Sequence, residues 1–172
     1  REAKRANCII SYDPNYRASL WSGEQEAVSQ MRSMLKYADL VKISEEETEL
    51  MTDESDYEKA AESMLRQGVK IAVITLGKLG AYVRTSDGGQ IVKGFKNKAL
   101  DATGAGDAFW GGFLYQFCRC GKLPKEVSVS EAASFADFGN AVASVCVESY
   151  GAIPAMPTMQ QVIEKMQEER QE

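Results

Sequence analysis

The chain has 172 residues and a formal net charge of −5, because 25 aspartates and glutamates outnumber 20 lysines and arginines. This balance gives no support for nucleic-acid binding, which usually leaves a basic surface. The sequence contains no histidine, and this absence excludes Ser-His-Asp and Cys-His nucleophile systems and every histidine-ligated metal site. Proton transfer would have to use a carboxylate, lysine, tyrosine or cysteine side chain.

No apolar run approaches the roughly 20 residues that a membrane span needs, and the charged residues 1–5 are not typical of a signal peptide. We therefore expect a cytoplasmic protein without membrane or nucleic-acid partners. Because the sequence starts without methionine, we expect it to be a piece of a longer chain. Cys118 and Cys120 form a C-x-C pair with no second pair, a spacing that does not match a zinc site.

Strands and helices alternate in the first part of the chain. Short apolar runs predict strands at 7–12, 40–43 and 71–76, and a hairpin of residues 81–84 and 90–93. Apolar residues at three- and four-residue spacing predict a helix that ends near residue 38, and a further helix stops near Gly68. Capping-box patterns typical of helix N-termini begin at Ser22, Ser44 and Ser55.

After Gly104 the pattern becomes helical. Helices are predicted from there to about Cys120, from about 130 to 147, and from a capping box at Thr158 onward. The aromatic residues between 109 and 117 lie at helical spacing and are expected in the core. Strands alternating with helices predict one α/β domain over residues 1–172, with a parallel sheet flanked by helices.

Residues 101–112, D-A-T-G-A-G-D-A-F-W-G-G, carry the clearest functional signal. Gly104 and Gly106 stand where a loop meets a helix, so that backbone N–H groups can turn toward an anion that the helix N-terminus also attracts. A Walker A loop does not fit, because Gly106 is followed by Asp107. A dinucleotide fingerprint does not fit either, because Phe109 stands in place of its third glycine.

Spacing alone leaves two interpretations of Asp107 open. In the first, Asp107 is a general base that takes the proton of an attacking hydroxyl, while backbone amides stabilise the charge on the transferring group. In the second, Thr103 is the N-cap of the helix and Asp107 only complements the helix dipole.

Residues 101–112 resemble the second signature of the PfkB (ribokinase-like) carbohydrate kinases. Three further segments continue the resemblance: D-P-N-Y-R at 13–17, T-L-G-K-L-G at 75–80 and G-A-I-P-A-M-P at 151–157. Essentially the whole chain is similar to the C-terminal part of such a kinase, and most of all to fructokinases. The resemblance implies a ribokinase-like, Rossmann-type layered fold whose N-terminal part and lid lie outside this chain.

The resemblance implies ATP-dependent phosphoryl transfer to a primary hydroxyl of a sugar, with Mg²⁺ and a monovalent cation such as K⁺. It implies that Asp107 is the base and that the amides of Gly104, Ala105 and Gly106 form the anion hole. Arg17 would reach the transferring phosphate with a guanidinium suited to oxyanions.

The resemblance also implies residues for the nucleotide and the metals. Thr75, Gly77 and Gly80 would line the nucleotide, with Asn140 near the adenine. Glu47 falls on the acidic residue of the family's N-x-x-E element, which acts through water on Mg²⁺, although Ser44 stands in the asparagine position. A monovalent-cation loop would use the carboxylate of Asp101 and carbonyls of Thr103, Cys146, Ser149 and Gly151; oxygen-only ligation suits such an ion.

Several alternatives stay open. A ketodeoxygluconate kinase or a ribokinase would fit the same family pattern. The chain could also be a non-catalytic nucleotide-binding fragment, or a nicotinamide-binding oxidoreductase domain, which the missing third glycine disfavours. The resemblance further implies that the full-length protein forms a homodimer through the lid, and it does not identify the sugar.

Overall fold

The computed structural model describes residues 2–168. A five-stranded sheet in the strand order β1-β2-β3-β4-β5 lies at its centre. The strands are β1 (Ser11–Tyr12), β2 (Leu40–Ser44), β3 (Ile71–Thr75), β4 (Gly80–Thr85) and β5 (Gly88–Lys93). The first three run parallel, as predicted, whereas β4 and β5 pair antiparallel. The sheet is therefore mixed: only four residues separate β3 from β4, and a parallel pairing needs a crossover of a dozen or more.

The described residues form seven α-helices. These are α1 (Glu2–Arg5), α2 (Glu24–Leu35), α3 (Thr48–Thr52), α4 (Tyr57–Arg66), α5 (Ala105–Cys120), α6 (Val129–Cys146) and α7 (Met159–Lys165). None of the helices in this part of the chain is long and apolar enough to cross a membrane.

The sequence predicts four capping boxes at helix starts, and the structure confirms two of them and contradicts the other two. Ser44 and Thr158 form the capping boxes expected of them. Helix α2 instead begins after Gly23 without a side-chain cap, because the hydroxyl of Ser22 donates to the carboxylate of Glu26. Helix α4 is capped by Asp56, whose carboxylate accepts the N–H of Lys59 at 2.9 Å; an aspartate is a strong N-cap acceptor.

Strand β1 is shorter than the predicted run of residues 7–12 because a hydrogen bond to a side chain replaces a backbone hydrogen bond between the strands at Ile10. The carboxylate of Asp39 accepts the N–H of Ile10 at 2.9 Å, and the carbonyl of Ile10 accepts the N–H groups of Asp39 and Leu40. Regular pairing with β2 therefore begins only at Ser11.

The sheet separates two hydrophobic layers. Val41 and Ile43 of β2 face the layer built with α2 and α4, whereas Leu40 of the same strand packs with α5 and α6. This alternation is the period of a strand buried on both faces. The aromatic side chains of α5, Phe109, Trp110, Phe113 and Phe117, are all buried as predicted.

Helices α5 and α6 approach each other closely at glycines. A Cβ on Gly112 would lie 3.1 Å from the Cα of Gly139 and 2.9 Å from a methyl group of Val142. A Cβ on Gly139 would lie 2.8 Å from the carbonyl oxygen of Phe109. The absence of side chains at these two positions therefore fixes the distance between the two helices.

Two adjacent glycines of α5 provide a test of this contact. Gly111 has nothing within 4 Å of an added Cβ, so Gly111→Ala should raise the free energy of unfolding by about 0.5–1 kcal/mol through helix propensity. Gly112→Ala should lower it by about 1–3 kcal/mol, because the interface must open. Denaturant titration of both variants measures the difference, and equal effects would contradict the packing described.

Candidate active site

The start of α5 is shaped by Gly104, which caps the helix in the left-handed conformation with φ of 78°. A Cβ at this position would lie 2.5 Å from the Cβ of Ala152, so the loop after α6 lies directly against the turn. The N–H of Ala105 donates to the carbonyl of Ala102 at 3.1 Å. The following first-turn N–H groups of a helix have no intrahelical acceptor, so the turn presents amide donors.

Asp107 is exposed in the first turn of α5. Its negative charge nevertheless reaches two buried neighbours, since it contributes to a raised pKa of the Asp13 carboxyl and of the Cys146 thiol. In both groups burial is the larger cause of the rise. Asp107 therefore has a carboxylate open to solvent at the edge of an electrostatically connected site.

The Asp101 carboxylate joins the loop before α5 to the loop after α6. One oxygen accepts the N–H of Thr103 at 2.9 Å and its hydroxyl at 2.6 Å, and the other accepts the N–H of Gly151 at 2.9 Å. These bonds, the Thr103 hydroxyl foremost, lower the pKa of the Asp101 carboxyl. The structure thus brings three residues of the expected cation loop into direct contact.

The two other residues expected in that loop lie at the end of α6. The carbonyl of Cys146 accepts the N–H of Ser149 at 3.3 Å, and the charge of Asp101 adds to the burial that raises the pKa of the Cys146 thiol. The Cys146 carbonyl is therefore already hydrogen-bonded in this turn. No group of three aspartate, glutamate or cysteine side chains that could hold a metal ion occurs within residues 2–168.

A cleft of about 260 Å³ lies between the β3–β4 turn and helices α5 and α6. Its lining includes residues predicted for the nucleotide and the anion hole, namely Thr75, Gly77, Gly80, Asn140, Ala105 and Gly106. Sequence reasoning did not select Lys78, Phe95, Asn97 and Ser144, which also line it. The amide of Asn97 donates to the hydroxyl of Ser144 at 3.3 Å, a contact between residues distant in sequence.

Gly80 cannot be replaced without moving the backbone beside the cleft. It has φ of 107°, and a Cβ would lie 2.0 Å from the carbonyl oxygen of Val92. Asn140, predicted near the adenine, donates its amide to the carbonyls of Val92 and Lys93 at 3.0 and 3.4 Å. It therefore ties α6 to β5 at the wall of the cleft.

Glu47 is buried, with both carboxylate oxygens in hydrogen bonds. One oxygen accepts the N–H of Tyr16 at 2.7 Å; the other accepts the N–H of Ser44 at 2.8 Å and its hydroxyl at 3.1 Å. The capping box is thus present, and the same carboxylate also holds the segment 13–17 against the end of β2. Arg17, in contrast, is exposed, and its guanidinium donates to the Tyr16 carbonyl at 2.9 Å.

A buried ion pair that the sequence reasoning did not identify lies next to the helix start. Lys42 Nζ donates to Asp13 Oδ2 at 2.9 Å, with side-chain exposures of 6% and 14%. Burial raises the pKa of the Asp13 carboxyl, the Lys42 ammonium opposes the rise, and the charges of Glu47 and Asp107 add to it. The available signal was a lysine inside the predicted buried strand, where an apolar residue is the rule.

Comparisons with known proteins give consistent matches. The profile of the "pfkB family carbohydrate kinase" matches residues 1–159. Probable fructokinase-5 of Arabidopsis thaliana is 36% identical over 160 residues, which cover 92% of this chain and 48% of that protein. Fructokinase-2 of Oryza sativa subsp. japonica is 37% identical over 161 residues, covering 92% of this chain and 47% of that protein.

Solved structures of kinases also match this chain. The fructokinase of Vibrio cholerae O395, in its fructose, ADP and calcium ion bound form, matches with a TM-score of 0.88 and 30% identity, covering 96% of this chain and 53% of that one. The aminoimidazole riboside kinase of Salmonella enterica, complexed with aminoimidazole riboside and an ATP analog, matches with a TM-score of 0.83 and 25% identity, covering 95% and 54%. The chain spans about half the length of the curated relatives it matches.

The Asp101 contacts predict a pH-dependent stability. Because the folded pKa is below the ordinary value of 3.8, the stabilisation should be complete above that value and lost as the pH falls through the folded pKa. Thermal midpoints of wild type and Asp101→Asn should therefore differ by a constant amount from about pH 7 to about pH 5 and converge at lower pH. Glu164→Gln, an exposed carboxylate of α7, is the control; a difference independent of pH would contradict this role of Asp101.

Proposed function

Because the chain belongs to the pfkB family of carbohydrate kinases, we propose that the protein containing it transfers the terminal phosphoryl group of ATP to a primary hydroxyl of a sugar, as a fructokinase does. The ribokinase-like α/β fold is confirmed by the structural matches. Within the whole enzyme, residues 1–172 would supply the nucleotide cleft, the anion hole and the base.

One observation carries this proposal: the glycine-rich turn before α5 meets the nucleotide cleft where an acidic side chain is exposed. Ala105 and Gly106 line the cleft, and Asp107 follows them in the same helical turn. In phosphoryl transfer, catalysis consists mainly of positioning and electrostatic stabilisation. A turn of amide donors with a carboxylate beside it provides both.

Asp107 acts in this proposal as the general base. Its exposed carboxylate accepts the proton of the sugar hydroxyl as the oxygen attacks the terminal phosphorus, while the bond from that phosphorus to the bridging oxygen breaks and ADP leaves. The amides of Gly104 and Gly106, helped by the N-terminal end of α5, stabilise the negative charge on the transferring group. The N–H of Ala105 would join them after leaving the Ala102 carbonyl, to which it donates at 3.1 Å. Arg17 would have to leave the Tyr16 carbonyl to reach that group.

The cleft fits a nucleotide. A Cβ on Gly80 would meet the backbone of Val92, so no side chain fits there, and Gly77, Gly80 and Gly106 line the cleft without side chains of their own. A nucleotide would lie between Thr75 and Asn140, with its phosphates toward Gly106. The Vibrio cholerae structure contains ADP and the Salmonella enterica structure contains an ATP analog, which supports ATP here.

We propose that a monovalent cation such as K⁺ would be held by the Asp101 carboxylate and the carbonyls of Thr103, Cys146, Ser149 and Gly151, because carboxylate and carbonyl oxygens are hard ligands. Mg²⁺, when bound with the nucleotide, neutralises the charge on the phosphate oxygens. Glu47 would act on it only through water, since both its oxygens already accept hydrogen bonds.

Fructose is the sugar we propose first, because the curated relatives named above are fructokinases and the Vibrio cholerae structure contains fructose. Lid-mediated dimerisation would belong to the whole protein. Assaying a panel of sugars with the complete reading frame tests the substrate; phosphorylation of ribose or ketodeoxygluconate in preference to fructose would replace the first choice.

Replacing the base provides the central test. In the full-length protein, Asp107→Asn should lower kcat by roughly 10²–10⁴-fold, because the hydroxyl loses its proton acceptor, while the dissociation constant for ATP stays close to wild type. Glu164→Gln is the control for removal of an exposed carboxylate. Normal turnover by Asp107→Asn would show that Asp107 only complements the helix dipole.

A binding titration separates the kinase from a dehydrogenase domain. The full-length protein should bind ATP in the presence of Mg²⁺ and should not bind NADH tightly, because the turn at Gly104–Gly106 lacks the third glycine of a dinucleotide site. Tight NADH binding without ATP binding would overturn the proposal. ATP binding without turnover of any sugar would indicate a non-catalytic nucleotide-binding protein.

A further inference from the structure

The side chain of Lys42 points at the turn that begins α5. A Cβ on Gly106 would lie 2.9 Å from Lys42 Nζ and 3.7 Å from its Cε. The ammonium therefore occupies the space that a side chain at position 106 would need. Lys42 is in strand β2 and Gly106 in helix α5, so this contact joins the sheet to the proposed anion hole.

The pair formed by Lys42 and Asp13 is incompletely hydrogen-bonded. Asp13 Oδ2 accepts from Lys42 Nζ, whereas Asp13 Oδ1 is buried and has no hydrogen-bond partner among residues 2–168. An ammonium group has three donors, and the bond to Asp13 uses one of them. Buried polar groups are normally satisfied, so two donors of the ammonium remain for a ligand at this position.

Stability alone does not account for a lysine at this position. Its strand neighbours Leu40, Val41 and Ile43 are apolar and fully buried. Replacing a buried ion pair by apolar residues is often neutral or stabilising.

We propose that Lys42 is a phosphoryl-binding residue of the site: its ammonium, held in place by Asp13, donates to an oxygen of the terminal phosphoryl group that the Gly104–Gly106 turn receives. This inference rests on the proposed kinase function. Asp13 is the positioning residue of the pair, and a side chain at position 106 would displace the ammonium that lies against it.

The test compares the affinities for adenosine, ADP and ATP in the full-length protein, measured by calorimetry with Mg²⁺. Lys42→Met should weaken ATP binding about 10- to 100-fold relative to ADP, the loss expected for a charge-assisted hydrogen bond. Adenosine affinity should be unchanged. Equal weakening of ATP and ADP, or no change in either, would overturn the proposal.

A second variant is used in case Lys42→Met misfolds, since that substitution leaves Asp13 buried and unpaired. The double variant Asp13→Asn, Lys42→Met removes both charges, so it should fold. If the pair were only structural, the double variant would bind ATP and turn over as wild type does. Our inference requires that it keeps the ADP affinity and still loses the preference for ATP.

Lys165→Met is the matched control. Lys165 is the same residue type with the same 6% side-chain exposure, and it pairs with Glu148 and Glu168 away from the turn at Gly106. Its replacement should lower thermal stability and leave the ratio of ATP to ADP affinity unchanged.

The failure of the two proposals can be told apart. A wild-type protein that binds ATP but phosphorylates no sugar would refute the kinase proposal. A double variant that keeps the full preference for ATP over ADP would refute only the role of Lys42.

Discussion

The position of helix α5 is the constraint on which the rest of the site depends. Gly112 and Gly139 let α5 and α6 approach until backbone meets backbone, and Gly104 allows the loop after α6 to lie against the turn. With the helix held at that depth, its first turn lies beside both β2 and the β3–β4 turn. A side chain at any of these glycines would move the donors of the turn away from the cleft.

Charge in the site is organised around a single buried cation. Lys42 compensates Asp13, while Glu47 is stabilised by backbone N–H groups and Asp107 by solvent. Burial raises the pKa of Tyr12 to about 12, with Glu47 and Asp13 adding to the rise, so this phenol stays neutral.

Much of this architecture follows from local sequence signals. The buried strands, the helix after Gly104 and the capping boxes at Ser44 and Thr158 are each determined by a few neighbouring residues. The pairing of Lys42 with Asp13 could not be predicted, because it joins residues 29 positions apart. The Asp39 carboxylate likewise shortens β1 from a distance. Sequence motifs located the turn and the cleft, but the contacts between them depend on three-dimensional packing.

The contact between Lys42 and Gly106 also bears on how such a site can change over evolutionary time. Because the ammonium lies against position 106, a larger residue there requires Lys42 either to shift away from its partner Asp13 or to be replaced by a shorter residue. Shortening Lys42 first leaves Asp13 without its counter-ion, so one order of substitutions meets a steric barrier and the other an electrostatic one. Substitutions at positions 42 and 106 should therefore be coupled, and they should pass through variants in which Asp13 has already been replaced by an uncharged residue.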